Sequence, residues 1–271
     1  MEFISFCQAH GILIDHVPPI GVWRRYPTED HPRKRNGAVK FMGDHGFVQN
    51  HAMDTDVSLW KTESPVKIDR QKIARDMRQA DAKRQADQLD AVKRASFIMR
   101  ETLLAKHEYL NKKGFVGMED RVWAHEGLKT LVVPMRVDGH LVGCQLIDED
   151  GGKKFLYGQR TSFAELIIDN KGVHVLCEGY ATGLSIQTAL KKLSRRYTIH
   201  ICFSAGNMKK IASRLPTGFV VADNDASKTG ERIAKEIGWK YWMSEVVGED
   251  ANDTMKRIGV LQLGLSLCRS M

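Results

Sequence analysis

Cysteine, proline and long apolar stretches are scarce in this sequence, and each scarcity excludes a class of protein. The 271 residues include five cysteines and seven prolines. The cysteines are odd in number, widely spaced and without a Cys-x-x-Cys pair, so neither a disulfide framework nor a zinc ribbon is predicted. No apolar run approaches the roughly 20 residues of a membrane-spanning helix, so no membrane partner is expected. No basic stretch followed by an apolar one opens the chain, and the cytoplasm is the expected location.

Motifs that bind nucleotides, calcium or zinc are also missing. No Gly-x-x-x-x-Gly-Lys-Ser/Thr run occurs, which argues against a nucleotide-hydrolysing helicase. The run Asp223-Asn-Asp225 does not open an EF-hand, because Lys228 stands where that loop needs glycine and Ala234 where it needs glutamate. No zinc is expected, since the spacing of the N-terminal candidates matches no common zinc module: Cys7, His10, His45 and His51.

The chain is basic, with a net charge of +8 and a pI near 9.2, which favours an anionic partner without identifying one. Residues 65–115 hold thirteen Lys/Arg against seven Asp/Glu, so most of the surplus lies there. Neither Gly nor Pro interrupts 66–111, which predicts a long helical segment ending near Gly114. Its apolar residues are sparse, so the helix is expected to be partly exposed, with cations typical of a solvated face.

The pattern along the chain divides it into four segments. We predict a small β-rich N-terminal module, a helical basic segment, a subdomain of antiparallel strands, and a domain in which strands and helices alternate. Their expected bounds are residues 1–63, 64–115, 116–170 and 171–271. The expected fold class is therefore α/β, with a parallel sheet flanked by helices on both faces.

The N-terminal module contains two short β-like stretches, 37–42 and 46–50. Trp23, Arg24 and Arg25 place an aromatic ring beside cations, which suits stacking on bases while phosphates are held. A solvated turn whose charges have no specific partner explains the same residues equally well. The sequence leaves these two interpretations open.

Short alternating stretches at 131–134, 141–147 and 154–157 predict strands joined by turns at Asp138-Gly139 and at 150–152. Asp-Gly between apolar runs is a strong hairpin signal, so this region is predicted to be antiparallel. After Gly172, strands are expected at 173–177, 198–203, 219–222 and 240–246, and helices at 181–193, 208–215, 228–238 and from about 252.

Three acidic residues directly follow strands of the predicted parallel sheet. Glu178 comes after one strand, and Asp223 and Asp225 come after another. Ligands bind at the carboxyl ends of the strands in such sheets, and carboxylates that meet there repel one another unless a cation neutralises them. Carboxylate oxygens suit Mg²⁺ or Mn²⁺. The alternative is that each acid merely caps a helix, as Asp225 could do for the helix at 228–238.

The runs Glu178-Gly-Tyr-Ala-Thr and Asp223-Asn-Asp, each after an apolar strand, resemble the TOPRIM domain shared by bacterial-type primases, topoisomerases and some nucleases. Other stretches resemble the TOPRIM primase-like proteins of phages and plasmids, and with them the similarity covers nearly the whole chain. These stretches are 1–63, 108–114, 131–147, 153–158, Ser204-Ala-Gly-Asn207 and 248–253. The resemblance implies a TOPRIM domain over 171–271 and a bacterial or phage-infected cell as the setting.

The resemblance also implies roles for individual residues. Glu178 would act as a general acid/base or metal ligand, and Asp223 and Asp225 as ligands of Mg²⁺ or Mn²⁺, with Asp250 completing the acidic rim. Bacterial primases carry a further acid four residues after the glutamate, where this chain has Thr182, so fewer ions or a different geometry are implied. Five basic residues are candidates for holding nucleotide or DNA: Lys154, Arg136, Arg160, Arg24 and Arg25.

The expected activity is that of a primase, which joins ribonucleoside triphosphates into short RNA primers on single-stranded DNA in phage or plasmid replication. Two metal ions would support such an in-line displacement, while the protein contributes positioning and charge. A replicative helicase is a further expected partner. Two alternatives stay open: a metal-dependent TOPRIM nuclease, and a non-catalytic replication accessory protein that binds DNA.

Overall fold

The computed structural model describes residues 1–51, 57–62 and 70–271, and these form two compact units, Met1–Ala86 and Asp87–Met271. The expected boundary at 63/64 and the expected start of the long helix at residue 66 lie outside the described residues. Within these ranges, no helix combines the length and the apolar character needed to cross a membrane.

The first unit contains a short helix and a four-stranded antiparallel sheet. Helix α1 (Phe3–Ala9) precedes strands β1 (Trp23–Tyr26), β2 (Gly37–Phe41), β3 (His45–Asn50) and β4 (Ser58–Lys61), which pair in sequence order. The two stretches predicted as strands are β2 and β3. One face of the sheet packs on α1 through a core that includes Phe3, Cys7, Val39, Val48 and Trp60.

Helix α2 (Arg70–Glu101) runs through the boundary between the two units. It is partly exposed, as predicted: Phe97 is half exposed, whereas Ala95 and Ile98 are buried. The prediction that one helical segment continues to near Gly114 is wrong, because the chain enters strand β5 at Leu103. Pairing with the neighbouring strand outweighs the helical propensity of this stretch.

An antiparallel five-stranded sheet opens the second unit, with its strands in sequence order. Its strands are β5 (Leu103–Lys106), β6 (Glu119–His125), β7 (Leu128–Val137), β8 (His140–Ile147) and β9 (Lys153–Phe155), and helix α3 (Glu108–Lys112) lies between β5 and β6. The Asp138-Gly139 hairpin is confirmed: Val137 pairs with His140, and both turn residues have positive φ. Gly114, at φ +88°, ends α3 rather than the long helix.

A mixed five-stranded sheet forms the rest of the second unit, in the strand order β10-β12-β11-β13-β14. The strands are β10 (Leu166–Asp169), β11 (Val173–Cys177), β12 (Tyr197–Ile201), β13 (Phe219–Ala222) and β14 (Lys240–Met243). The last four are mutually parallel, and only the edge strand β10 is antiparallel. The sequence analysis missed β10, which is short and only half-buried.

Helices cover both faces of this sheet. They are α4 (Tyr180–Lys192), α5 (Ala205–Ala212), α6 (Thr229–Ile237), α7 (Ala251–Ile258) and α8 (Val260–Ser270). Alternate residues of β11 face opposite ways, as a pleated strand requires: Val175 and Cys177 pack with α4, α7 and α8, and Leu176 packs with α5 and α6. The single C-terminal helix predicted from about 252 is two helices, separated at Gly259 with φ +86°.

Candidate acidic site

Two acids lie at the same edge of the mixed sheet. Glu178 directly follows β11, and Asp223 directly follows β13. These strands are parallel neighbours, and Cys177 lies opposite Val221. Glu178 and Asp223 therefore follow the paired ends of adjacent strands, one and two residues beyond this pair. This edge, where the parallel strands end, is where ligands bind in sheets of this kind.

Burial makes the ionised form of both carboxyl groups costly. The pKa of Asp223 is raised to about 7, first by desolvation and then by the negative charges of Glu178, Asp250 and Asp225, while Lys153 lowers it. Desolvation also raises the pKa of Glu178, with Lys153 lowering it and Asp225 raising it. These mutual effects place the four acids within electrostatic range of one another.

Asp223 has an oxygen for which the fold supplies no partner. Its Oδ1 atom is buried and accepts no hydrogen bond from any described residue. A buried acceptor without a partner is costly, and a hard cation or a metal-bound water is a species that would satisfy it. A donor set made only of carboxylates fits Mg²⁺ or Mn²⁺ and does not favour zinc.

The other two acids are engaged in local bonds. Asp225 is exposed, and its Oδ1 accepts from the Ser227 hydroxyl at 2.7 Å and from the Thr229 N–H at 3.3 Å, at the start of α6. Asp250 caps α7 by accepting from the Asp253 N–H at 2.8 Å. Across the described ranges, no three His, Cys, Asp or Glu side chains are gathered closely enough to hold a metal ion as they stand. An ion at Asp223 and Glu178 would complete its coordination with water or phosphate oxygens, or with Asp225 or Asp250 if one of them turned towards it.

The loop that carries Asp223 is anchored to the loop after β14. The Asn224 side chain donates to the Ser244 carbonyl at 3.0 Å, and its backbone N–H donates to the Glu249 carbonyl at 3.2 Å. Gly248 N–H donates back to the Asn224 carbonyl at 2.6 Å. These bonds hold the chain between Asp223 and Asp225, so the backbone of the site is fixed even where a side chain is exposed.

Glu249 belongs to this anchor rather than to the acidic site. Its carboxylate accepts from Ser244, Thr254 and the guanidinium of Arg257, with both Arg257 contacts at 2.8 Å. The hydrogen bonds from Arg257 come first among the causes that lower the pKa of Glu249 to about 2. This carboxylate is therefore ionised and fully paired.

A lysine that the sequence analysis did not select faces the acids. Lys153 on β9 is the cation that lowers the pKa of Glu178 and of Asp223, whereas its neighbour Lys154 has no such effect on either. Successive residues of a strand point to opposite faces, so only one of the two can face the acids. The choice depends on the register of β9 on β8, which the residue pattern does not show.

The other predicted basic residues lie in less direct positions. The Arg136 guanidinium donates to the Gly139 carbonyl at 3.0 Å, and Arg160 donates to the Ser162 carbonyl at 3.1 Å. Both are therefore held by backbone within the second unit. Arg24 and Arg25 lie on β1, in the first unit. There, burial lowers the pKa of Arg25.

Thr182 and the Ser204-Ala-Gly-Asn207 run have structural roles. Thr182 is buried and donates to Asp250 Oδ2 at 3.5 Å, so a neutral hydroxyl contacts an acid of the rim. Ser204 caps α5 by accepting from the Asn207 N–H. The Asn207 side chain donates to the carbonyls of Ala164 and Cys202 at 2.7 and 2.8 Å. This run thus fixes the segment before β10 to the end of β12.

No protein-family model matches the chain, and no curated protein is significantly similar to it in sequence. Among solved structures, it is similar to a chain in the structure of the bacteriophage T7 lagging-strand DNA polymerase interacting with primase domains of two gp4 subunits bound to an RNA/DNA hybrid and dTTP. The identity is 16%, the TM-score is 0.43, and the alignment covers 62% of the present chain and 88% of that one. At this level of similarity, no residue's role carries over.

Proposed function

We propose that the chain is a metal-dependent primase whose acidic site contains Glu178, Asp223, Asp225 and Asp250. The observation that supports this most directly is Asp223, a partly buried carboxylate beside Glu178 at the strand-end edge, with a pKa of about 7 and a buried Oδ1 atom that has no partner among the described residues. The resemblance of the Glu178 and Asp223 motifs to the TOPRIM domain of primase-like proteins supports the same proposal.

Bound Mg²⁺ or Mn²⁺ would supply charge for a phosphoryl transfer at this edge. Asp223 and Glu178 would hold the cation, because a positive partner offsets the cost of ionising carboxylates that are withdrawn from water. Lys153, whose charge acts on both acids, would offer a positive charge to a nucleotide phosphate. The Asn224 anchor keeps the acidic loop in place, so little reorganisation is needed when substrate binds.

The metal part of the proposal is tested by the melting temperature of the chain. Millimolar Mn²⁺ or Mg²⁺ is expected to raise the melting temperature of the wild type, because an ion that binds only the folded state stabilises it by mass action. Asp223→Asn is expected to remove this rise. Equal shifts in wild type and variant would show that the ions bind elsewhere.

The reaction is tested by incubating the protein with single-stranded DNA, labelled ribonucleoside triphosphates and Mn²⁺ or Mg²⁺. Short RNA products are expected from the wild type, and both Asp223→Asn and Glu178→Gln are expected to lose them by at least about 100-fold. Absence of product with every metal and template would overturn the primase assignment. Metal-dependent cleavage of nucleic acid without added triphosphates would assign a nuclease instead.

A second candidate is a non-catalytic accessory protein that binds DNA. The capping bonds of Asp225 and Asp250 favour it, because these two acids already stabilise the starts of α6 and α7. The substitution Asp225→Asn separates the two proposals. It keeps an acceptor oxygen for the Ser227 and Thr229 bonds, so an accessory protein would retain its DNA-binding activity, whereas a primase would lose most of its primer synthesis.

A further inference from the structure

On one face of the sheet of the first unit, the described residues form no packed apolar core. Cross-strand register places Trp23 on β1, Lys40 on β2, Phe47 on β3 and Leu59 on β4 in one row across all four strands. The opposite face carries the buried core with Val39, Val48 and Trp60. We call the first of these the outward face; its described members are Trp23, Arg25, Ala38, Lys40, His45, Phe47, Gln49, Leu59 and Lys61.

Aromatic rings from β1 and β3 lie close together on the outward face. Trp23 is 47% exposed, and its ring centroid lies 6.3 Å from that of Phe47. His45 stands edge-on to Phe47 at 5.6 Å. Leu59, in the same row, is 49% exposed, so the outward face exposes a group of apolar side chains rather than a single one.

The outward face carries three cations, and the acids nearest to it are Asp44, bonded to His45, and Asp81, paired with Arg84. Arg25, Lys40 and Lys61 are its cations, and its described members include no Asp or Glu. Rings that alternate with cations suit a partner that combines flat apolar groups with regularly spaced negative charges. An acidic peptide has the charges but lacks a repeating flat group.

One end of the outward face continues into a cavity. A space of about 240 Å³ separates β1 and β2 from the first part of α2. It is lined by Gly21, Val22, Trp23, Lys40, Met77, Ala80, Asp81 and Arg84. Within it, Arg84 forms an ion pair with Asp81 at 2.8 Å, and Trp23 and Lys40 line the side of the cavity that belongs to the outward face.

We propose that the outward face and its cavity form a binding site for single-stranded nucleic acid. Trp23 and Phe47 stack on successive bases, and Lys40, Lys61 and Arg25 contact the phosphates between them. A duplex hides the faces of its bases, so it offers these rings little to stack on. The site contains none of the four acids and goes beyond the proposed catalytic function, because it requires neither metal ions nor nucleotides.

Fluorescence anisotropy of a labelled oligonucleotide of about 15 bases, with the full chain, tests this site. Three probes are compared: oligothymidylate, oligouridylate and a DNA duplex of the same length. Both single strands are expected to bind more tightly than the duplex. Tighter binding of one of the two single strands would identify DNA or RNA as the ligand of the site. Tighter binding of the duplex would overturn the proposal.

Variants of the outward face make the test specific. Trp23→Ala is expected to weaken binding of the single strands by at least about 5-fold, whereas Trp23→Phe, which keeps a ring, is expected to restore most of the affinity. The double variant Lys40→Ala/Lys61→Ala is expected to make the slope of log affinity against log salt shallower by about 1.4. Wild-type affinity in both Trp23→Ala and the double lysine variant would overturn the proposal.

Two controls distinguish binding at the outward face from non-specific attraction to the positive charge of the protein and from binding at the acidic site. Lys191→Ala/Lys192→Ala removes two exposed lysines of α4 and is expected to leave the affinity ratio of single strand to duplex unchanged. Asp223→Asn is expected to bind oligonucleotides like the wild type even though it loses primer synthesis. Failure of primer synthesis in the wild type would therefore overturn the catalytic proposal and leave this one standing.

Discussion

Burial of Asp223 makes the stability of the protein depend on pH in a definite direction. Its pKa is raised from an ordinary 3.8 to about 7 in the folded chain, so the unfolded chain releases this proton first as the pH rises. The stabilising contribution of the protonated form is complete below pH 4 and is lost as the pH rises through 7. The folded state therefore bears an unfavourable buried charge at pH 8 unless a cation is present.

The substitution Asp223→Asn is expected to remove this loss. With a chelator present, the free energy of unfolding of the variant is compared with that of the wild type at pH 4 and at pH 8. The difference in favour of the variant should be larger at pH 8 than at pH 4, by on the order of 1 to 4 kcal/mol. Urea unfolding at both pH values measures this difference. Asp225→Asn is the matched control, because it removes an exposed carboxylate two residues away and keeps an acceptor oxygen for the bonds from Ser227 and Thr229. An equal pH dependence in wild type and Asp223→Asn would contradict the assigned environment.

The two adjacent lysines of β9 allow a matched comparison. Lys153 lowers the pKa of both Glu178 and Asp223, so Lys153→Gln is expected to raise both pKa values and to shift the pH profile of primer synthesis upward. Its activity at neutral pH should fall by roughly 10-fold or more. Lys154→Gln, one residue away on the opposite side of the strand, should leave the pH profile unchanged. A shift caused by Lys154→Gln alone would contradict the register of β9.

At the scale of elements, one glycine holds helix α6 against the acidic loop. A Cβ at Gly230 would lie 2.4 Å from the Asp223 carbonyl oxygen, which is backbone and cannot turn aside. Gly230→Ala is therefore expected to lower the free energy of unfolding by about 1 to 3 kcal/mol and to weaken the metal-dependent stabilisation.

A second helical glycine supplies the control for this prediction. Gly206 lies in the first turn of α5, and a Cβ there would meet nothing within 4 Å. Gly206→Ala should stabilise the protein by a few tenths to about 1 kcal/mol, because it lowers the entropy of the unfolded chain. Both values come from urea titrations. Equal effects of the two substitutions would show that the packing of α6 on Asp223 is looser than described.

The strongly patterned elements could be predicted from the sequence, and their order determines the edge where the acids lie. The bounds of β11 and β13 agree with the predicted strands at 173–177 and 219–222, because both are short apolar runs with turns on either side. The edge strands β5 and β10 could not be predicted in this way. Each has a largely exposed pattern and exists through pairing with a strand distant in sequence.

The acidic site shows the same division between local and long-range information. That Glu178 and Asp223 follow strands can be seen in the residues themselves. The pairing of β11 with β13, the burial of Asp223 and the engagement of Asp225 and Asp250 in capping bonds depend on tertiary structure. The sequence predicted these side chains as one cluster, whereas the fold buries one carboxylate and gives two others local hydrogen bonds. Whether they share ions stays a prediction.

At the scale of the whole molecule, the acidic site and the outward face lie in different units. The four acids, Lys153 and both cores of the mixed sheet lie in Asp87–Met271, and the outward face lies in Met1–Ala86. The buried residues that α2 contributes to the second unit are Ala91, Ala95 and Ile98, all after residue 87. Cutting the chain at the boundary therefore removes no member of the second unit's cores.

A fragment comprising Asp87–Met271 is accordingly expected to unfold cooperatively and to keep the rise in melting temperature with Mn²⁺ or Mg²⁺. Its affinity for oligothymidylate should fall by at least about 5-fold, as in full-length Trp23→Ala, because the stacking rings are gone. Thermal unfolding followed by circular dichroism and oligonucleotide anisotropy measure the two properties. Full-length affinity in the fragment would place single-strand binding in the second unit, whereas loss of the metal effect in a folded fragment would show that the acidic site needs residues before Asp87.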